Sequence, residues 1–280
     1  MTISAIRSTR YESAGGWPLR ITPFGLLGGP LARRLLARNF LVLKRDWVPF
    51  VSGFFEPFFY LLSIGIGLSH LVGGLSVDGK VVSYTSFVAP GLLATSAMNG
   101  SLYDAIFNIW FKLRISHTYD AVLSTPLSPG DVAAGELTWS LFRGSCYTAS
   151  FLVVMAAMGY AATPWTALCF PAAVLVSFGF AGVGMMITTF LRGWQDFDMV
   201  SLFLFPLFLF SGTFYPLSVY PGWLQGVVRI TPLYQGVALV RGFDLGQFDW
   251  VMLPHALYLL AMGIVGLWVT RRRIAKILQP

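Results

Sequence analysis

Six windows of mostly apolar residues, at approximately 47–71, 84–109, 132–158, 165–191, 199–215 and 251–270, limit what this chain can fold into more than any other feature. A helix needs about 20 such residues to cross a hydrocarbon core of about 30 Å, and each window meets or nearly meets that length. The composition agrees: 56% of the 280 residues are hydrophobic and only 11% are charged, against about a quarter in ordinary soluble domains. A soluble globule with so few charges would expose large apolar patches. Abundant Leu, Ile, Val and Phe exclude disorder, two cysteines exclude a disulfide scaffold, and the glycines lack the three-residue period of collagen. The expected fold is an all-α integral membrane protein with six transmembrane helices. The fifth is the shortest and carries Pro206 in its middle, where a kink is expected because proline removes a backbone bond and crowds the preceding turn.

Orientation follows from the basic residues, which are retained on the cytoplasmic side. Of 19 Lys and Arg, 15 lie before the first window, after the second, after the fourth, or in the tail. The alternate loops hold Lys80, Arg229 and Arg241, and Arg143 lies within the third window. Both termini are therefore expected in the cytoplasm, with the chain in the plasma (inner) membrane. Such placement also argues against a nucleic-acid partner, since the basic residues flank spans instead of forming a patch. No cleavable signal peptide is visible, and the first span is expected to act as the targeting signal. Residues 1–30, rich in Pro, Gly and Ser, read as a flexible cytoplasmic tail. Residues 31–46 read as an amphipathic interfacial helix: Leu31, Leu35, Leu36, Phe40, Val42 and Leu43 share one half-circle. Arg33, Arg34, Arg38, Lys44 and Arg45 share the other, facing lipid headgroups or a cytoplasmic partner, with Asn39 and Leu41 as exceptions. Residues 47–280 form the six-span domain.

The segment 216–250 is apolar although it joins two spans. Two helical stretches, Trp223 to Ile230 and Leu233 to Arg241, are too short to cross and are broken at Thr231-Pro232. With Pro221 at its start, this reads as an outer re-entrant helical hairpin, the plainer possibility being an interfacial loop.

Motifs for chemistry on this chain are missing. Gly74 to Lys80 has the GxxxxGK spacing of a phosphate loop, but Val81 stands where Ser or Thr would hold magnesium and no strand-loop-helix context surrounds it. Asn99-Gly100-Ser101 lies inside a span, out of reach of glycosylation. His70, His117 and His255 are scattered, and Cys146 and Cys169 lie in apolar runs without metal-ligand spacing, as small buried hydrophobes do. No catalytic residue, bound cofactor or metal is expected.

Ionisable groups inside spans cost about 2.5–3.5 kcal/mol each on insertion scales, so each needs a reason. Glu56 lies about 13 Å into the first window and has no basic partner on its own helix at that depth. Asp104 and Asn108 are an i, i+4 pair in the second, and Glu136 and Arg143 lie seven apart near one stripe of the third. Either these groups satisfy one another between packed helices, or some line a transport path. Phe203, Phe208 and Phe210, with Phe205 and Phe214, either line such a path or face lipid.

The loop after the second span, holding Lys112 and Arg114, contains a short helix from about Thr118 that must end before Pro126. It is expected to expose Tyr119, Val122 and Leu123 to the cytosol, as a helix that seats in another protein's groove would.

In order and spacing these features resemble the permease subunits of ABC-2-type transporters, in the branch of nodulation-factor and daunorubicin-type exporters. The resemblance rests on Glu56 to Leu61 leading into Gly65 to Leu68; Pro90-Gly91 with Ala94 to Met98; Thr118 to Leu127 with Gly135-Glu136; and Phe210 to Pro216 followed by Pro221, Pro232-Leu233 and Arg241. It implies a half-transporter that dimerises with a second permease copy or paralogue. It also implies cytoplasmic ATPase subunits that bind ATP and magnesium and contact Leu31–Arg45, including Arg34 and Arg38, and the Thr118–Leu127 helix with Asp120. The rival reading is an ion-coupled secondary transporter using Glu56, Asp104 and Glu136, weakened by the lack of an internal repeat. A membrane enzyme acting on lipid lacks clustered His, Asp or Cys.

Overall fold

A computed structural model describes residues 32–45, 55, 58–68, 74–77, 80–125 and 127–278. Helix α1 (Ala32–Arg45) carries the expected amphipathic pattern. Next come α2 (Phe58–Leu68), strands β1 (Gly74–Val77) and β2 (Lys80–Ser83), and α3 (Tyr84–Tyr103). The short α4 (Thr118–Leu123) and the long α5 (Pro129–Ala157) follow. The remaining helices are α6 (Cys169–Thr188), α7 (Asp196–Leu209), α8 (Gly222–Ile230), α9 (Pro232–Asp244) and α10 (Met252–Leu278).

Among the described residues the fold is helical, with one departure from an all-α arrangement. β1 and β2 pair antiparallel from Gly74 opposite Ser83 to Val77 opposite Lys80. Asp78-Gly79 between them is a favoured sequence for a two-residue hairpin turn, the signal hidden inside the rejected phosphate-loop spacing.

Among the described residues, three helical stretches are long and apolar enough to cross a membrane: Pro129–Ala157, Pro164–Thr188 and Met252–Ile277. The middle one begins with a 3-10 turn, Pro164–Leu168. Helix α3 is different because protein covers it on most sides, by α5, α6 and α9, and it can carry Thr95, Ser96, Asn99 and Ser101. Its helical path also runs past residue 109, through π-helical turns at Asp104–Asn108 and Phe111–Ile115. Helix α7 ends at Leu209, earlier than the apolar window, because Ser211 to Tyr215 bend away with Gly212 at φ +72. Pro206 sits in its last turn and its carbonyl accepts the Phe210 N–H at 2.9 Å. Helix α10 runs beyond its window through Arg271, Arg272 and Arg273.

Local chemistry explains the ends. Ser128 and Asp131 form a reciprocal capping box with Pro129 in the first turn, fixing the start of α5. At the first residue of α7, the Asp196 carboxylate accepts the N–H groups of Arg192 and Gly193 at 2.6 and 3.1 Å, which hold its pKa below the ordinary carboxylate range. Thr231, with φ −66 and ψ 136, is the extended break between α8 and α9, and Pro232 opens α9.

The largest helix contact is α6 against α10, where small residues let backbones approach. A Cβ added at Gly182 would lie 2.6 Å from the Gly263 carbonyl oxygen. Cys169, fully buried, donates to the Val240 carbonyl at 3.3 Å and ties α6 to α9, while Cys146 is half-buried.

Candidate functional site

A cavity of about 810 Å³ opens between α2, α3, α5 and α7. Helix α3 supplies Thr95, Ser96, Asn99 and Tyr103, and the helical path beyond it adds Asp104, Phe107, Asn108 and Phe111. Arg143, Tyr147 and Phe151 come from α5, Tyr60 from α2, and Trp194 from the turn before α7. The π turn at Asp104–Asn108 changes the helical phase in the middle of the lining, between Asn99 and Phe111. Gly100 makes room for Tyr147, whose ring would be 2.5 Å from a Cβ there.

One ion pair stands at the cavity wall. Arg143 donates through Nη1 to Asp104 Oδ1 at 2.7 Å, and Ser140 donates to Oδ2 at 2.8 Å. The Asp104 side chain is 1% exposed and that of Arg143 23%, so the carboxylate is sealed while the guanidinium reaches the cavity. Asn108 lines the same cavity, but the polar partners of Asp104 lie across on α5, not at i+4.

The aromatic residues in and after α7 divide between the cavity and other faces. Helix α7 lines the cavity with Ser201, Leu204, Phe205 and Phe208, the i, i+3, i+4, i+7 face of one helix. Phe208 belongs to it. Phe203 is 76% exposed on another face, and Phe210 lies beyond the helix end against Tyr220, so neither lines the cavity. Glu56 lies outside the described residues.

A second ion pair lies deeper toward α4. Lys112 Nζ donates to both Glu136 carboxylate oxygens at 2.8 Å and to Asn39 Oδ1 at 3.3 Å. Lys112 is therefore a buried residue and not a free loop cation, and Asn39, an exception on the α1 wheel, is its acceptor. Tyr119 is also buried, against the expectation that α4 exposes it. Its ring packs in a cluster with Leu35, Ile109, Leu113, Val132 and Leu137. Burial, reinforced by the Glu136 carboxylate, pushes its phenol well above the usual range, so it stays protonated. Val122 is half-buried against that cluster, Asp120 is exposed and bonded to His117 at 3.1 Å, and Thr118 is half-buried. His117, at φ 46, is the one non-glycine residue with positive φ among those described. Arg38 is exposed on α1; the side chains of Arg34 and Leu123 lie outside the described part.

At the opposite end, Arg241 of α9 gathers three carbonyls: Phe87 at 3.2, Gly212 at 2.9 and Thr213 at 3.4 Å, with its guanidinium 3.9 Å from the Phe87 ring centroid. Gly91 sits where a Cβ would meet Thr213 Cα at 3.0 Å. Pro90-Gly91, Phe210 to Pro216 and Arg241, far apart in sequence, thus converge on one corner. Asp244 pins the end of α9 by accepting Thr166 Oγ1 at 2.6 Å. Trp223 is 74% exposed on α8, next to Pro221 at its N-terminus. Replacing Arg241 with alanine should orphan these carbonyls at a cost of about 2–3 kcal/mol. Proteolysis of detergent-purified protein checks this, with faster cleavage expected between residues 210 and 216.

Helices long and apolar enough to cross a membrane, one of which lines a cavity of mixed hydroxyl, amide and aromatic character, fit the family match of a multi-pass membrane transport protein. The chain belongs to the ABC-2 type transporter family, whose profile matches residues 30–245. It is 33% identical over 214 residues to nodulation protein J of Rhizobium meliloti (strain 1021), covering 75% of this chain and 79% of the relative. Nodulation protein J of Rhizobium leguminosarum bv. viciae is 30% identical over 247 residues, 85% of this chain and 93% of that protein. The inner membrane transport permease YadH of Escherichia coli (strain K12) is 25% identical over 180 residues, 63% of this chain and 68% of YadH.

Proposed function

We propose that this chain is the permease subunit of an ATP-binding-cassette exporter, moving an amphipathic, lipid-linked or drug-like molecule out across the plasma membrane. A separate ATPase subunit, which binds ATP and magnesium, docks on the cytoplasmic side against α4 and α1. The protein works as a dimer with a second permease copy or paralogue, spans the inner membrane six times with both termini cytoplasmic, and lets α8 and α9 re-enter the outer leaflet. The observation that carries this reading is the cavity beside the Asp104–Arg143 pair, with the α4 end of the same helices two turns away. Its lining of aromatic rings, hydroxyl and amide groups and the Arg143 guanidinium suits a molecule with one apolar and one hydrogen-bonding part. The rival ion-coupled reading is disfavoured because Asp104 and Glu136 are each paired with a cation of the chain itself, which occupies the place a transported cation would take.

The burial of Tyr119 decides how to test docking: a charge there would break the fold, so the exposed face must be altered. With Asp120→Arg/Ala121→Arg, the purified chain should keep its thermal midpoint yet recover at least about tenfold less ATPase subunit and ATP hydrolysis. A chain that transports in proteoliposomes on a proton gradient without an ATPase would sink the reading.

A further inference from the structure

Four elements each send one side chain to a single buried point. Asn39 comes from α1, Lys112 from the π turn beyond α3, Tyr119 from α4 and Glu136 from α5, and their exposures are 5, 8, 1 and 1%. Lys112 Nζ holds both Glu136 oxygens and the Asn39 carbonyl oxygen, while the Tyr119 ring packs beside them against Leu35, Leu113 and Leu137 with its hydroxyl buried and making no hydrogen bond among the described residues. Further along the same two helices lies the Asp104–Arg143 pair at the cavity.

The two pairs have opposite sense. At the cavity the acid is on the α3 side and the base on α5; at the deeper level the base is on the α3 side and the acid on α5. Sliding one helix past the other by two turns would set Asp104 opposite Glu136, or Lys112 opposite Arg143. Like charges out of water repel strongly, so the alternation fixes the register. Stability alone does not account for such pairs, because well-packed apolar substitutes are often neutral or stabilising.

We infer that Lys112 and Glu136, with Asn39 and Tyr119, are positioning residues that lock α1 and α4 onto α3 and α5 as one moving unit. A displacement of α4 then reaches the cavity wall at Asp104–Arg143. This rests on the reading that α4 receives an ATPase, and it adds which side chains carry the motion inward.

The discriminating variant is Lys112→Met/Glu136→Leu, which keeps apolar packing and removes the ion pair. It is compared with the charge swap Lys112→Glu/Glu136→Lys, which gives up the alternation of sense but keeps an ion pair between the α3 side and α5, in the full chain with its co-purified ATPase in proteoliposomes. Nitroxides at Asn99→Cys and Ser201→Cys, across the cavity, in a Cys146→Ala background, report the change in distance on trapping with Mg-ATP and vanadate. In the apolar variant, complex assembly and ATP hydrolysis should persist, while the distance change falls by about fivefold. The charge swap should retain at least about half of it. A distance change equal to that of the unaltered chain in the apolar variant, or one that the swap also loses, overturns the inference. Loss of assembly in the apolar variant also overturns it, because the node would then only hold the fold. If the unaltered chain recovers no ATPase, the functional reading falls and takes this inference with it. The variant results are judged only against an unaltered complex that hydrolyses ATP.

Discussion

Replacing Arg143 with alanine is expected to lower the stability of the folded bundle by about 3–5 kcal/mol, the cost of leaving a buried carboxylate without its cation. Asp104 is 1% exposed on its side chain and, among the described residues, its other hydrogen-bond partner is Ser140, so loss of the guanidinium removes its counter-charge and leaves one hydroxyl donor in place. Removing both charges should behave differently. Asp104→Leu/Arg143→Met replaces the pair with apolar side chains of similar reach and should recover most of the lost stability, since a buried pair contributes little net free energy. Thermal unfolding of purified protein in detergent tests both arms. Equal midpoints for the single alanine variant and the unaltered chain would mean that the pair is solvated and the cavity wall differs from the one described.

How much of this was legible in the sequence depends on the range of the interaction involved. The bounds of α4, the break at Thr231-Pro232 and the amphipathic face of α1 follow from local rules about proline and periodicity, and the structure shows each of them. The partners of the charged residues do not follow from such rules. Glu136 and Arg143 share one helix seven residues apart, yet each pairs with the α3 side, Lys112 at a separation of 24 residues and Asp104 at 39. Lys112 read as a loop residue because hydropathy ends a span at the first charges. That rule fails where protein neighbours, and not lipid, surround the helix. Tyr119 read as exposed because a six-residue helix gives too short a pattern to tell its buried face. The cavity face of α7 was available in principle, since Ser201, Leu204, Phe205 and Phe208 keep helical spacing. Phe203 and Phe210 drew attention by residue type alone.

The other large effect is expected at Gly182, where leucine should cost about 4 kcal/mol or more, the range reached when a tight core is overpacked by backbone and not by a flexible side chain. A Cβ there would lie 2.6 Å from the Gly263 carbonyl oxygen and 2.9 Å from its Cα, so α6 and α10 would have to separate. Both backbones are held by their own helical bonds and cannot give by a rotamer change. Gly266 faces the Gly182 carbonyl in the same seam, so movement at one point opens the whole contact. Gly226→Leu on α8 is the matched control. A Cβ there meets nothing within 4 Å, and leucine gains about 1 kcal/mol of helix propensity over glycine. Size-exclusion profiles and thermal midpoints in detergent should therefore diverge, with the Gly182 variant aggregated or strongly destabilised and the Gly226 variant unchanged or improved. If both behave alike, the close approach of α6 and α10 is not what holds the bundle. The seam bears on the cavity too, because α6 also packs against α3 and α5, and its displacement would carry the Asp104–Arg143 wall with it.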